Sequence, residues 1–226
     1  MTLPSRFSAI IFDCDGVLVD SEVLAMEVEI KALAEIDLVY DDSEFRARFL
    51  GMSNTAFYDA LEADHRIRHG RDLPDGFRQM CHGRYQAAWH RLAEVPGARD
   101  AVGRVSLPKA VASSSTRDGL ARKLRQTNLW PLFAPHIYSA DHVARAKPAP
   151  DLFLHTADAL GIAPARCLVL EDSANGIAAA RAAGMTAWGF TGGGHMGETC
   201  GVRLQAAGAE RLLPDWPTAA DVLCTL

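Results

Sequence analysis

Short apolar runs alternate with longer amphipathic stretches over much of this chain. The first run, residues 10–12, is β-branched or aromatic and stands before a turn signal, which predicts a buried strand. Runs of the same kind recur in the second half of the sequence and predict further strands. These lie at residues 110–112, 137–139, 167–170 and 187–190.

Residues 21–92 differ from the rest, because their apolar positions repeat with the period of a helix and strand signals are few. Breaks around Gly51 and Gly70 separate successive helices. We expect these helices at residues 23–34, 43–50, 54–69 and 74–92. The pattern therefore predicts a helical domain over residues 21–92, inserted after the first strand.

Beyond residue 92 the predicted strands alternate with helices, at 117–127, at 151–160 and from Ser173 to Gly184. Alternation of this kind is typical of a parallel sheet that is covered by helices on both faces. We therefore predict an α/β fold, with one core domain formed by residues 1–20 and 93–226.

The composition argues against several classes of partner. A formal net charge of -5 over 226 residues disfavours a broad nucleic-acid-binding surface. No apolar run approaches the roughly 18 residues that span a bilayer, and the sequence before the first strand leaves no room for a signal peptide. The five cysteines are scattered and odd in number, as in reduced proteins. We expect a cytoplasmic protein that has no nucleic-acid or membrane partner.

Two carboxylates, Asp13 and Asp15, follow the first strand directly. In open α/β sheets this carboxyl end of a strand is where ligands bind. A hard divalent cation such as Mg2+ would offset the repulsion between the two acids; the alternative is a loop with two solvated acids. Cys14 lies between them, and we expect its side chain to point to the opposite face and pack in the core.

Polar residues also follow the later strands. Ser113 ends the second strand, Lys147 stands in a proline-bounded loop before a helix, and Glu171 and Asp172 end a fourth strand. Each also has a purely structural interpretation. Ser113 would cap a helix, Lys147 would be a solvated loop residue, and the two acids would interact favourably with the dipole of the following helix. Because parallel strands end at one edge of a sheet, we expect all of them near Asp13.

This order of motifs resembles the haloacid dehalogenase superfamily. Three longer strings, residues 13–22 (DCDGVLVDSE), 147–151 (KPAPD) and 170–176 (LEDSANG), are similar to its β-phosphoglucomutase-like branch, which holds many sugar-phosphate phosphatases. The resemblance covers the whole chain. It implies a Rossmann-like, three-layer core and identifies the helical insert of residues 21–92 as a cap domain.

The resemblance also implies catalytic roles. Asp13 would attack phosphorus and form an aspartyl-phosphate, and Asp15 would act as general acid and base. Ser113 would donate a hydrogen bond to the phosphoryl oxygens, and Lys147 would neutralise their charge.

A Mg2+ ion is the implied cofactor. Asp13, the backbone carbonyl of Asp15, and Asp172 would hold it, with Glu171 beside them as a direct ligand or through water.

Substrate contacts are expected from two places. Gly51, Ser53 and Asn54 match the cap loop that contacts substrate in relatives, and Ser114 and Arg117 follow the second strand. The expected substrate is a small phosphorylated sugar, polyol or sugar acid, and we expect the enzyme to be a monomer or a weak homodimer.

Two other functions are alternatives for this sequence, a sugar-phosphate mutase and a phosphoacceptor signalling domain. Sugar-phosphate mutases carry an arginine and a histidine at the positions that align with Asn54 and Ala25 of this chain. Both differences favour a phosphatase over a mutase. Arg46 and Arg48 are candidates for a mutase's second phosphate site, although solvated helix arginines are the simpler interpretation. A phosphoacceptor signalling domain is less favoured, because such domains are shorter and lack the insert.

The glycine-rich residues 191–195 lack the ending of a P-loop, and we expect a flexible connection there.

Overall fold

The computed structural model describes residues 6–49, 52, 54–197 and 199–226. The chain forms two compact units, of which the first runs to Asp20 and resumes at Ala93, and the second is Ser21–Leu92. In the described residues no helix is both long and apolar enough to cross a membrane.

The first unit is built on one six-stranded parallel sheet, as the alternating pattern predicts. Its strand order is β3-β2-β1-β4-β5-β6, so the chain leaves β1 toward one side of the sheet and later returns to its other side. The strands are β1 (Ala9–Phe12), β2 (Lys109–Ser113), β3 (Ile137–Ser139), β4 (Cys167–Glu171), β5 (Thr186–Phe190) and β6 (Arg211–Leu213).

The second unit is helical, and each of its helices overlaps a predicted one. Aromatic rings of Tyr40, Phe45, Phe49 and Phe57 meet at its centre, with neighbouring ring centroids 5.0–6.2 Å apart. The helices are α1 (Ser21–Ala34), α2 (Asp42–Phe49), α3 (Asn54–His69) and α4 (Phe77–Ala88), followed by a 3-10 turn at Trp89–Arg91.

Helices flank the parallel sheet of the first unit, which gives the Rossmann-like α/β fold. Its β1, β2, β4 and β5 are almost wholly buried and lack the alternation of a half-exposed strand, as expected for a sheet with both faces covered. The helices are α5 (Ala98–Arg104), α6 (Arg117–Gln126), α7 (Trp130–Phe133), α8 (Asp151–Leu160), α9 (Ala174–Ala182), α10 (Cys200–Ala206) and α11 (Trp216–Leu223). Of these elements, β6, α5, α7, α10 and α11 were not predicted from the sequence.

Trp216 ties the last helix to the strand that carries the candidate chemistry. Its side chain is buried, its indole Nε1 donates to the carbonyl oxygen of Val17 at 2.9 Å, and its ring packs on Phe12 and Phe190. Trp216 therefore links α11 to the turn after β1.

Trp216→Ala is expected to lower the free energy of unfolding by about 3–5 kcal/mol, because it leaves a large cavity and an unsatisfied carbonyl. Urea denaturation of the full chain measures this. Val202→Ala on α10 is the control, since Val202 is 68% exposed, and its effect should stay within about 0.5 kcal/mol. Equal effects of the two variants would contradict the role given to Trp216.

Glu29 in α1 is a partly buried carboxylate in the helical unit. Burial, followed by the nearby Glu22 carboxylate, raises the pKa of Glu29 to about 7. Because the folded pKa lies above the unfolded one, the contribution of Glu29 to stability is fully present below about pH 4 and is lost as the pH rises through 7.

Glu29→Gln removes this titration. The free energy of unfolding of the variant minus that of the wild type should be roughly 1–3 kcal/mol larger at pH 8 than at pH 5. Urea denaturation at the two pH values measures the difference. A difference between variant and wild type that does not change with pH would contradict the raised pKa.

Candidate active site

The sheet register brings Asp13 and Glu171 to the same edge. Phe12 pairs with Leu170 across β1 and β4, and the Asp13 backbone N–H donates to the Leu170 carbonyl at 2.9 Å. The next residue on each strand is an acid. Two carboxylates are therefore placed side by side by backbone pairing alone.

Lys147 bridges these carboxylates. Its Nζ donates to Asp13 Oδ1 at 2.5 Å and to Glu171 Oε1 at 2.6 Å, and a third bond reaches the Ala112 carbonyl at 2.9 Å. The side chain is only 4% exposed. All three ammonium donors are thus used inside the protein, which fixes the position of the positive charge.

Burial and charge act on this group in opposite directions. Burial raises the pKa of Asp13 well above its usual range; the Lys147 ammonium offsets this only in part, and Glu171, Asp172 and Asp15 raise the pKa further. Burial alone would lower the pKa of Lys147, but its ion pairs with Asp13 and Glu171 outweigh this and raise it. Two short contacts to carboxylates keep the lysine charged, and its positive charge partly offsets the burial that favours the protonated form of Asp13.

Glu171 is held from its other side by the start of α9. Its Oε2 accepts from the Ser173 backbone N–H at 2.9 Å and from the Ser173 hydroxyl at 2.8 Å. A Cβ on Gly176 would lie 1.8 Å from Glu171 Oε1, so only glycine fits there. Glu171 is consequently an internal anchor for Lys147.

Asp15 is held by a second lysine. Lys123 Nζ donates to Asp15 Oδ1 and, at 2.9 Å, to the Ser115 hydroxyl, which donates to Asp15 Oδ2 at 2.9 Å. Ser113 is buried, and its hydroxyl lies 3.4 Å from the same Asp15 oxygen. The two neighbouring aspartates are therefore paired with different lysines.

Ser115 and Lys123 were missed from the sequence. Lys123 lies between Leu120 and Leu124, both of which are buried on α6, and a lysine on the flank of a buried helix face was the available signal. The N-cap of α6 is Thr116, whose hydroxyl accepts from Gly119 N–H at 3.3 Å. Ser113 is therefore not the N-cap of α6, which was its structural alternative.

Asp172 contacts a histidine from the glycine-rich residues 191–195. His195 Nε2 lies 3.1 Å from Asp172 Oδ2, and both side chains are buried. Gly194 N–H donates to Asp20 Oδ1 at 3.0 Å. A flexible connection was expected here, but the structure packs this loop against the turn after β1. His195 was also missed, because nothing in its local sequence marks the contact.

The remaining predicted residues are not brought into this cluster by any described contact. Ser114 and Arg117 are exposed, and the Arg117 backbone N–H donates to Asp141 Oδ2 at 2.7 Å. Gly51 and Ser53 lie outside the described residues, as does the side chain of Asn54. The substrate roles of all five stay predictions.

Two other expectations concern side chains that could compete for these roles. Cys14 is buried, and burial raises the pKa of its thiol well above the usual range, so a thiolate nucleophile is disfavoured.

Arg46 and Arg48 pair with Asp42 and Asp64 within the helical unit. Their ion pairs fit the simpler interpretation of these arginines better than a second phosphate site.

The charges of the cluster fit a divalent cation. Four carboxylates and the two ammonium groups of Lys123 and Lys147 leave a formal charge of -2 at the end of the sheet. Within the described part of the chain, no three Asp, Glu, His or Cys side chains are gathered as a ready metal cage. Mg2+ does not require one, since it typically uses one or two carboxylates together with waters and substrate phosphate.

Comparisons with known proteins identify the family. A family model described as haloacid dehalogenase-like hydrolase matches residues 7–184. The 6-phosphogluconate phosphatase of Escherichia coli is 26% identical, over 84% of this chain and 86% of its own length. The fructose-1-phosphate phosphatase of the same organism is 33% identical, over 80% of this chain and 95% of its own.

A solved structure shows the same fold. The crystal structure of a HAD family hydrolase from Deinococcus radiodurans, with bound phosphate and sodium, is 35% identical and has a TM-score of 0.86. The match covers 98% of this chain and 97% of that one. The chain therefore belongs to the haloacid dehalogenase-like hydrolases, on the branch of sugar-phosphate phosphatases and β-phosphoglucomutase-like proteins.

Proposed function

We propose that this phosphatase hydrolyses a small phosphorylated sugar, polyol or sugar acid through an aspartyl-phosphate on Asp13, with Mg2+ as cofactor. The observation that carries the proposal is the buried Lys147, which bridges Asp13 and Glu171 at 2.5 and 2.6 Å. This contact holds the Asp13 carboxyl group and a positive charge together at the edge of the sheet where ligands bind.

The first half-reaction transfers the phosphoryl group to Asp13. A carboxylate oxygen of Asp13 attacks phosphorus, a new P–O bond forms, and the bond from phosphorus to the substrate oxygen breaks. Asp15 gives a proton to the leaving alkoxide, so an alcohol departs. Lys147 and the Ser113 hydroxyl stabilise the negative charge on the phosphoryl oxygens.

The second half-reaction releases phosphate. Asp15, now a carboxylate, takes a proton from water, and the water oxygen attacks phosphorus. The bond between phosphorus and Asp13 breaks, which restores the nucleophile and returns Asp15 to its protonated form. Lys123 and Ser115 contact Asp15 in the structure and stabilise its ionised state, the form that this step requires.

Three groups of this chain would hold the cation: Asp13, the Asp15 backbone carbonyl and Asp172. Mg2+ bound there supplies charge neutralisation for the phosphoryl group. Glu171 would act from outside this set, because Lys147 and Ser173 occupy its carboxylate.

The class of substrate is supported by the relatives. The named phosphatases act on 6-phosphogluconate and fructose 1-phosphate, and both match this chain over most of their length. The helical unit would provide selectivity, with Gly51, Ser53 and Asn54 as the contacts. A cytoplasmic location fits the five cysteines, all of which are free thiols in the structure.

Asp13→Asn should lower the turnover of p-nitrophenyl phosphate with Mg2+ by at least about 1,000-fold, because the amide is a poor nucleophile. The fold should persist, since the variant removes a buried charge and Lys147 keeps its bond to Glu171. Circular dichroism checks this point. Asp221→Asn, at an exposed position on α11, is the control and should retain full activity. Substantial activity in folded Asp13→Asn would sink the assignment of the nucleophile.

Asp172→Ala should raise the Mg2+ concentration needed for half-maximal activity by about tenfold or more, because it removes a proposed ligand. Activity is measured at a fixed substrate concentration over a Mg2+ series, again beside Asp221→Asn. An unchanged Mg2+ requirement in the alanine variant would remove Asp172 from the metal site.

A further inference from the structure

We propose that His195 is a positioning residue for Asp172, which it holds in the orientation that binds the divalent cation. This inference rests on the proposed function, since it concerns the Mg2+ site of the same reaction. It gives a role to the glycine-rich residues 191–195, which the proposed chemistry does not use.

The contact between the two side chains is short and shielded from water. His195 Nε2 and Asp172 Oδ2 are 3.1 Å apart, and the side chains are 8% and 10% exposed. An imidazole N–H that donates to a carboxylate in such surroundings is worth more than the same contact in water, because water does not compete for either group.

Two glycines allow the contact. Gly16 has a φ of 79°, and a Cβ there would lie 1.9 Å from Asp172 Oδ2 and 2.5 Å from His195 Cε1. A Cβ on Gly193 would lie 2.5 Å from the Gly16 carbonyl oxygen and 2.8 Å from the His195 ring. The turn after β1 and the loop after β5 therefore approach so closely that side chains on either glycine would separate them.

The loop is also fixed at a second point. Gly194 N–H donates to Asp20 Oδ1 at 3.0 Å, and Met196 N–H donates to the Gly193 carbonyl at 2.9 Å. Thr191 N–H, at the start of the loop, donates to the Leu213 carbonyl at 2.9 Å. His195 is consequently presented to Asp172 from a backbone held on both sides.

The expected effect falls on metal binding. Hydrogen bonds from outside the ligand set orient a ligating carboxylate before the metal arrives, and losing such a partner typically costs 10–100-fold in metal affinity. His195 Nε2 lies beside Asp172 Oδ2, and Asp172 is a proposed ligand of the cation. Loss of His195 should therefore weaken Mg2+ binding more than it slows phosphoryl transfer once the metal is bound.

The test compares His195→Leu with His195→Gln. Both variants fill much of the histidine's volume, but only glutamine places an N–H near the position of Nε2. Isothermal titration of the full-length protein with MgCl2 should give a Kd about 10–100-fold higher for His195→Leu. His195→Gln should recover most of the affinity. His82→Ala, at an exposed position on α4, is the matched control and should bind Mg2+ like the wild type.

Turnover of p-nitrophenyl phosphate at saturating Mg2+ gives the second readout, and kcat of His195→Leu should stay within about threefold of the wild type. If leucine prevents folding, His195→Ala replaces it in the same comparison with glutamine. Equal Mg2+ affinity in wild type and in the folded leucine or alanine variant would overturn the role of His195 while leaving the phosphatase intact. A wild type that hydrolyses the ester without binding Mg2+ would overturn the proposed metal itself.

Discussion

Lys147 places one ammonium group between two buried carboxylates, and the rest of the site is arranged around that contact. The lysine reaches Asp13 and Glu171 only because the pairing of β1 with β4 sets both acids at the same level of the sheet. Glu171 is in turn held by the N-terminal turn of α9 and lies against Gly176, where a side chain would displace it. Without the lysine, two desolvated acids would repel one another, and one would take up a proton. The ionisation of Asp13, the proposed nucleophile, therefore depends on this charge balance as well as on its place on the strand.

The same balance separates the two aspartates of the first motif. Lys147 binds Asp13, whereas Lys123 and Ser115 bind Asp15, so residues only two positions apart have different surroundings. Groups of one chemical type can take different catalytic roles when their environments differ in this way. Two lysines against four carboxylates still leave a negative cluster, which accounts for the expected preference for a divalent cation.

The strands and the core motifs could be predicted because they are local in sequence. A buried apolar run that ends in acids shows both the strand and the edge where its chemistry lies, as at residues 10–15 and 167–172. Lys123 and His195 could not be found in this way, because each meets its aspartate only through the packing of a distant element. The short β6 and the helices α5 and α7 were missed since three to seven residues carry too little periodicity. The proposed substrate contacts at Gly51, Ser53 and Asn54 stay predictions, because no described side-chain contact bears on them.

The proposed reaction requires that Asp13 is phosphorylated during turnover. The direct measurement is to quench the enzyme in acid during steady-state hydrolysis with Mg2+, reduce it with borohydride, and map the peptides by mass spectrometry. An acyl phosphate on an aspartate is reduced to homoserine, so homoserine is expected at position 13 and Asp15 should be unmodified. Loss of the modification when substrate is omitted gives the control. Homoserine at another aspartate, or none at any position while phosphate is being released, would contradict phosphorylation of Asp13.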